Sequence, residues 1–330
     1  MPELTHRHTF ALPSHCKQLQ TFDSVSSLLS AYRTDVPVYI LGGGSNSIFI
    51  EDFDGLVLLN DIKGIDVKLG EDGVRLTVGG GENWHALVAY TVKKGWRGLE
   101  NLALIPGSVG AAPIQNIGAY GLEVGERIEQ VDVVSLDTGE QFSLSQQECE
   151  FGYRDSIFKR PEHSRWIVTH VHFFLPSDIA PVTQYAELDT LSDPTAEDIF
   201  NTVIAVRQRK LPDPAILGNA GSFFKNPVIS TSHFGKLRQQ YPSMPGYEVN
   251  ATQTKVPAAW LIDTAGFKGQ CKNGVCSYQH QPLVLVNQNA VSGKAVVEFA
   301  QAIIETVETT FGIRLEPEVR LVGKTGLVTL

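Results

Sequence analysis

The chain has 330 residues, room for about two domains of ordinary size. At 42% hydrophobic and 19% charged it can bury a real core, which excludes disorder as its main state. Twenty-seven basic against 36 acidic residues leave −9 with no long block of one sign, which excludes a general nucleic-acid coat: an anionic ligand must be held by a local cluster.

The opening MPELTHRHTFALPSHCK lacks the basic-then-apolar run of a secretory signal. Ser24 to Tyr32 is expected as a short helix capped by Asp23 or Ser24. Val38 to Leu41 is an apolar strand running into Gly42-Gly43-Gly44-Ser45-Asn46, and Phe49-Ile50 continues as strand. Leu56 to Leu59 and Val74 to Val78 are further strands, the second ending in Gly79-Gly80-Gly81. Trp84 to Lys94 has helical spacing and stops at Gly95. Asn101 to Leu122 is uncharged and long enough to span a bilayer, yet Pro106, Pro113, Gln115, Asn116 and four glycines speak against a lipid-facing helix. The chain therefore reads as soluble and cytoplasmic.

Val131 to Leu136 and Gln141 to Leu144 flank Asp137-Thr138-Gly139-Glu140, a hairpin composition, and Trp166 to Leu175 is a long strand. Asp193-Pro194 opens a helix reaching about Lys210, with proline at the favoured first position. Leu211-Pro212-Asp213-Pro214 breaks it and marks a boundary. Beyond lie a glycine-rich turn from Gly218 to Asn226, a short helix near Lys236, a helical stretch from Pro257 to Ala265 and a buried strand from Leu283 to Val286. A long amphipathic helix from Ser292 to Thr310 follows, and a last strand from Glu318 to Val322. Strand-dense stretches followed by helical ones predict α+β lobes, not a regular βαβ wind.

Cys16, Cys149, Cys271 and Cys276 make no disulfide framework and no zinc set, so reduced thiols are expected. His170 and His172 share a strand face without a third ligand nearby, so no metal is expected. The glycine triplets fail the dinucleotide fingerprint, because Ser47 and Trp84 stand where its third glycine belongs. Gly323-Lys324-Thr325 is preceded by Glu318 where a phosphate loop needs glycine, and no nucleophile-elbow motif occurs. Leu104 to Gly121 is neither helix nor strand by composition: it is either backbone lying close against a flat ligand or a loop packed by small side chains. Between Ala205 and Asn226, Arg207, Arg209, Lys210 and Lys225 outnumber Asp213, which makes an anion site or merely a solvated helix end. Residue chemistry alone leaves Arg154 open to a surface ion pair with Asp155, Ser222 to a turn and Glu318 to a strand end.

Ordered blocks resolve these alternatives. Ile40 to Asn46, Ile105 to Gly110, Pro113 to Gly121, Phe151-Gly152-Tyr153-Arg154-Asp155-Ser156-Ile157-Phe158-Lys159, Lys210 to Pro214, Asn219 to Pro227, Trp260 to Asp263 and Leu315 to Arg320 together resemble the UDP-N-acetylenolpyruvoylglucosamine reductase family, over nearly the whole chain. The resemblance implies an α+β fold: a two-lobed FAD-binding domain of the vanillyl-alcohol-oxidase (PCMH) type followed by a substrate-binding domain. The expected boundaries are 11–178 for the first, with lobes at about 11–66 and 67–205 and residues 319–330 able to return to it, and 206–318 for the second.

It further implies non-covalent FAD as cofactor, NADPH as co-substrate and UDP-N-acetylglucosamine enolpyruvate as substrate, with no nucleic acid, membrane or metal partner, in a monomer. By resemblance, the backbone amides of Gly42, Gly43, Gly44, Ser45 and Asn46 and those of Gly107 to Ala111, Gly110 among them, hold the FAD diphosphate. Ile105 and Pro106 also belong to the cofactor site, and Arg207 adds a diphosphate contact. Gln115, Asn116, Gly118 and Ala119 would line the flavin. Arg154 would clamp the substrate carboxylate, Glu318 polarise it and Ser222 donate a proton. Tyr185 and Lys210 would grip the substrate diphosphate, with Asn226 and Gln281 at other polar groups. Tyr185 and the Tyr153 to Phe158 block fit the longer of the family's two forms. An oxygen-using oxidase of the same fold and a non-catalytic FAD module are the rival readings.

Overall fold

Apolar alternation makes Trp166–Pro176 the centre of a sheet: Val171, Phe173 and Leu175 are buried while His170, His172 and Phe174 face outward. In the computed structural model, which describes residues 1–330 apart from the side chain of Ala186, this strand lies between Ile128–Ser135 and Gly73–Gly79. Gln141–Ser145 and Ile65–Leu69 complete five antiparallel strands. The hairpin at Asp137 to Glu140 joins its first two strands, with Gln141 opposite Val134.

The chain divides into two compact units. The amino-terminal unit comprises Lys17–Gly43 and Gly55–Arg209 and contains that sheet. Helix α1, Val25–Ala31, is capped by Ser24 and lies beside a small sheet in which Val38–Leu41 pairs in parallel with Leu56 to Leu59. Helix α2, Trp84–Lys93, and helix α3, Ala196–Lys210, bring Trp84, Leu87, Val88, Ile199 and Val203 into the core under Val131, Val171 and Phe173. Helix α3 does not start at Pro194 as expected. Thr195 and Asp198 exchange backbone-to-side-chain bonds of 2.9 and 3.1 Å, and this reciprocal cap sets the start two residues later than the proline.

The carboxy-terminal unit comprises Met1–Cys16, Gly44–Asp54 and Lys210–Leu330. Helices α4, Thr231–Gln240, and α5, Ala258–Thr264, join α6, Gly293–Phe311, whose buried stripe of Val296, Phe299, Ala300, Ile303, Ile304 and Val307 anchors the core. Gly312, at φ 64°, ends α6 in the left-handed cap that glycine adopts without strain. Gly218–Ser222, Val284–Asn287, Val275–Ser277 and Cys271–Lys272 form one sheet in that order. The last expected strand is shorter, Arg320–Val322. It pairs in parallel with Ser47–Phe49 and is followed by a further strand, Leu327–Val328.

The expectation of four reduced thiols is overturned for two of them. Cys271 and Cys276 form a disulfide, because the hairpin pairs Cys271 directly opposite Cys276 with Cα atoms 4.0 Å apart. Cys16 and Cys149 are buried and outside the disulfide, and burial pushes the Cys149 thiol up to about 12. Among the described residues no helix is long and apolar enough to cross a membrane.

Candidate active site

The site residues of the amino-terminal unit lie on loops laced to its sheet. A Cβ at Gly43 would stand 2.8 Å from the Gly107 Cα, and one at Gly42 would stand 2.4 Å from the Ser108 Oγ, so bare backbone is required where these two loops meet. Gly107 itself is at φ 131°, outside the range of an L side chain. The turn that follows is gripped from below. Val109 and Gly110 N–H donate to the carbonyls of Glu82 and Gly80 at 2.9 and 2.8 Å, and Ala111 N–H donates to Ser108 at 3.1 Å. These three amides are thus committed within the protein.

Asn116 sits at φ 45° with its side chain buried. Its Nδ2 donates to Glu123 at 2.7 Å and to the Gly152 carbonyl at 3.0 Å, and its Oδ1 accepts from Gly125 N–H at 2.8 Å. What Asn116 offers a ligand is therefore backbone. Ser156 Oγ donates to the Ile114 carbonyl at 2.6 Å and Arg154 Nη2 to the Gly118 carbonyl at 2.8 Å. The Gly152 to Ser156 turn and the Ile114 to Ala119 segment consequently form one piece. Arg154, at φ 54°, lies over the Tyr153 ring, and Lys159 Nζ holds its carbonyl at 2.9 Å.

Arg207, on α3, presents a buried Nε with no hydrogen-bond partner. Burial lowers its affinity for the proton, the neighbouring Tyr120 opposes that, and the charge of Arg154 reinforces it. A guanidinium this basic stays charged all the same. A half-satisfied buried cation beside a second cation is costly in bare protein and is relieved by an anion. That orphaned Nε and the side-chain-free cradle of Gly42, Gly43 and Gly107 both fit FAD, whose anionic diphosphate joins planar ring systems.

Tyr120 meets the exposed Tyr185 edge to face at 6.4 Å. The Tyr185 loop is tied down by Asn101, buried and not anticipated from sequence, whose Nδ2 donates to the Val182 carbonyl at 2.8 Å and the Tyr120 carbonyl at 2.9 Å. Its only sequence signal was an uncharged amide inside an apolar run. Of the outward-facing His170 and His172, the second has a structural use: it bonds Asp132 at 2.8 Å and Thr77 at 3.0 Å.

In the carboxy-terminal unit, Ser222 ends the strand Gly218–Ser222 just after Gly221 at φ 69°. Asn219 shapes this turn, its Oδ1 accepting from Gly221 N–H at 3.0 Å. The buried Phe223 accepts from Glu318 N–H at 2.8 Å, and Lys225 N–H donates to the Glu316 carbonyl at 2.9 Å. These bonds set Ser222, Lys225 and Glu318 at one short antiparallel junction. Asn46 Nδ2 reaches the Glu318 carbonyl at 3.2 Å, and Asn46 O accepts from Arg320 N–H at 2.9 Å, which ties the end of the glycine loop to the same junction. Gly44, at φ 63°, packs so closely that a Cβ would lie 2.1 Å from the Arg7 carbonyl.

Asn226 spends its Oδ1 on the Ala258 N–H at 2.9 Å, at the start of α5, which leaves its amide group to meet a ligand. Gln281 sits in the turn between Tyr278 and Val284, held by backbone bonds of 3.2 and 2.9 Å. Lys210 is the last residue of α3, and Ser45, Ile105, Pro106 and Gln115 lie in the loops already described. Ala119 lies in a two-residue strand, Gly118–Ala119, paired with Leu122–Glu123 inside the segment expected to hold neither helix nor strand.

Residues 13–145 match the model of an FAD binding domain. With the α+β fold and the glycine cradle, this defines a flavin-dependent oxidoreductase. Residues 213–322 match the model of the UDP-N-acetylenolpyruvoylglucosamine reductase C-terminal domain. The UDP-N-acetylenolpyruvoylglucosamine reductase of Pseudoalteromonas atlantica is 47% identical over 100% of this chain and 96% of its own length. That of Photobacterium profundum is 45% identical over 98% and 95%. The crystal structure of the corresponding enzyme from Thermus caldophilus shares the fold, with a TM-score of 0.65 at 23% identity over 96% of each chain. The chain belongs to the UDP-N-acetylenolpyruvoylglucosamine reductase family.

Proposed function

We propose that this protein reduces UDP-N-acetylglucosamine enolpyruvate to UDP-N-acetylmuramate with NADPH, a step of peptidoglycan precursor synthesis. The observation that carries the reading is 47% identity, end to end, with a reductase of that name. Bound FAD would supply the hydride transfer that links NADPH to the enolpyruvyl double bond. The residues of this chain supply the rest. Saturating an enol ether next to a carboxylate drives charge into that carboxylate, so a fixed cation is required there. Arg154 meets the requirement with a planar, permanently charged fork. Glu318 acts as the second polarising group, and Ser222 gives the proton to the carbon that does not receive hydride.

Gly42 to Asn46, the Ile105 to Ala111 segment and Arg207 hold FAD, with Gln115, Asn116, Gly118 and Ala119 along the flavin. The committed amides of Val109, Gly110 and Ala111 shift the diphosphate contact toward Gly107 and Ser108. Tyr185, Lys210, Asn226 and Gln281 bind the UDP-sugar. FAD is held without a covalent link, since neither flavin segment contains His or Cys. The protein works as a cytoplasmic monomer, with the FAD-binding domain in the chain ahead of residue 206 and the substrate domain formed by the chain behind it together with Met1–Cys16 and Gly44–Asp54.

The test is direct. Purified protein should be yellow, release all its flavin on acid precipitation, and oxidise NADPH only when the enolpyruvyl sugar is added. Equal NADPH oxidation with oxygen alone would overturn the reading.

A further inference from the structure

Leu104 stands at φ 58°, left-handed backbone that a branched residue adopts only when its surroundings hold it there. It opens the Ile105 to Ala111 segment. Its N–H donates to Nδ1 of His85, in the first turn of α2, at 3.0 Å. The neighbouring Trp84 grips the same segment and the chain just before it: its N–H donates to the Gly107 carbonyl at 3.1 Å, and its Nε1 donates to the Leu102 carbonyl at 2.9 Å. On its other side the His85 ring stacks on Phe200 of α3, with centroids 5.6 Å apart and planes 7° from parallel. Phe200 lies two turns before Arg207 on that helix.

We infer that His85 is a positioning residue for the flavin: its Nδ1 lone pair pins Leu104 in the left-handed conformation, and its stacked ring registers the Ile105 to Ala111 segment against the helix that carries Arg207. The inference rests on the reading that this segment and Arg207 hold FAD. For Nδ1 to accept, the ring must be neutral with its proton on Nε2. Burial, and then the charge of Arg207, both push the His85 pKa down and favour that neutral form.

Two substitutions separate the hydrogen bond from the packing. His85→Asn places an amide oxygen close to the Nδ1 position but loses the stacked ring. His85→Leu keeps apolar bulk against Phe200 but leaves the Leu104 N–H without an acceptor. FAD dissociation constants from flavin fluorescence are the readout, with the absorbance fine structure of bound flavin beside them. His85→Asn should bind FAD within about threefold of the parent, whereas His85→Leu should bind on the order of tenfold more weakly, the effect of one half-buried N–H left without its acceptor. His85→Leu should also show a displaced flavin band.

The reverse order, or equal affinities in the two variants, overturns the inference. Should His85→Leu not fold, histidine-labelled parent protein decides through nitrogen NMR, with the His85 signal assigned by its absence from His85→Asn. A neutral ring protonated on Nε2 in the FAD-loaded protein supports the inference, and a proton on Nδ1 refutes it. Failure of the parent protein to bind FAD would instead remove the underlying reading.

Discussion

Arg154 Nη2 donates to the carbonyl of Gly118 at 2.8 Å, so one arm of the guanidinium is fixed to the segment expected to line the flavin. A fork anchored in this way can hold a carboxylate at a set height and angle above that segment. An unanchored cation could attract the carboxylate but not orient it.

Arg154→Lys therefore tests orientation with charge kept. A single ammonium cannot reproduce the fork or hold Gly118 while binding a carboxylate. Reduction by NADPH should proceed within about threefold of the parent rate, while the enolpyruvyl half-reaction should slow by about 10² or more, as when a fixed donor to developing charge is removed. Stopped-flow absorbance of the flavin reads each half separately. An unchanged second half would remove Arg154 from the carboxylate.

The strongly apolar strands were legible because apolar alternation is a local signal, whereas the more exposed Ile65–Leu69 and the glycine-rich Gly218–Ser222 were not. Val38–Leu41 matches its expected limits, and Trp166–Pro176 differs by one residue. The start of α3 was misread because proline at a first turn is a weaker signal than the Thr195–Asp198 reciprocal cap. The Cys271–Cys276 bridge was missed because spacing cannot show that a tight hairpin puts both residues opposite each other. Among the site residues, the types were readable and their commitments were not. Asn116 looked like a group for reading polar edges, yet its side chain is consumed by Glu123, Gly152 and Gly125. Such knots tie residues far apart in the chain, and no window of sequence contains them.

His8 makes acid stability a readable quantity. Its ring is buried, with Nε2 at 3.2 Å from the Leu12 carbonyl and Nδ1 without a partner. Burial lowers its pKa from 6.5 to about 4. The unfolded chain then takes up the proton first, so stability is full above pH 6.5 and falls as the pH drops toward 4. The loss over that window is about 3 kcal/mol. His8→Gln does not titrate and keeps a donor for Leu12. The urea midpoint of the parent should therefore fall relative to that of His8→Gln as the pH drops from 6.5 toward 4; parallel curves would show that His8 carries no such linkage.

Thiol counting checks the hairpin bridge. Folded protein without reductant should expose no reactive thiol, because Cys16 and Cys149 are buried and Cys271 and Cys276 are joined. Unfolding without reductant should release two thiols, and unfolding after reduction all four. Four thiols without reductant would place the bridge outside the purified protein. Because Cys271 is exposed, thiol exchange should open it in the folded state.

Ser222 lies at the junction where Phe223 accepts from the Glu318 N–H at 2.8 Å, and its assigned task is to deliver one proton. Ser222→Ala should leave reduction by NADPH intact, since that step delivers no proton to the sugar. Reoxidation by the enolpyruvyl sugar should slow by about 10²- to 10⁴-fold, the usual share of a general acid. Affinity for the UDP-sugar should change little, because the missing group acts chiefly in the transition state. A serine hydroxyl is a weak acid, so its proton needs help. Lys225, three residues on and ion-paired with Glu316 at 3.5 Å, belongs to the same junction; it, another charge or a bound water can give that help. Ser222→Cys should retain part of the activity, because a thiol donates a proton from nearly the same place. Stopped-flow traces decide: slowing confined to the second half-reaction assigns the proton to Ser222. Equal slowing of both halves would make Ser222 a residue of the turn, and the donor would have to be another group.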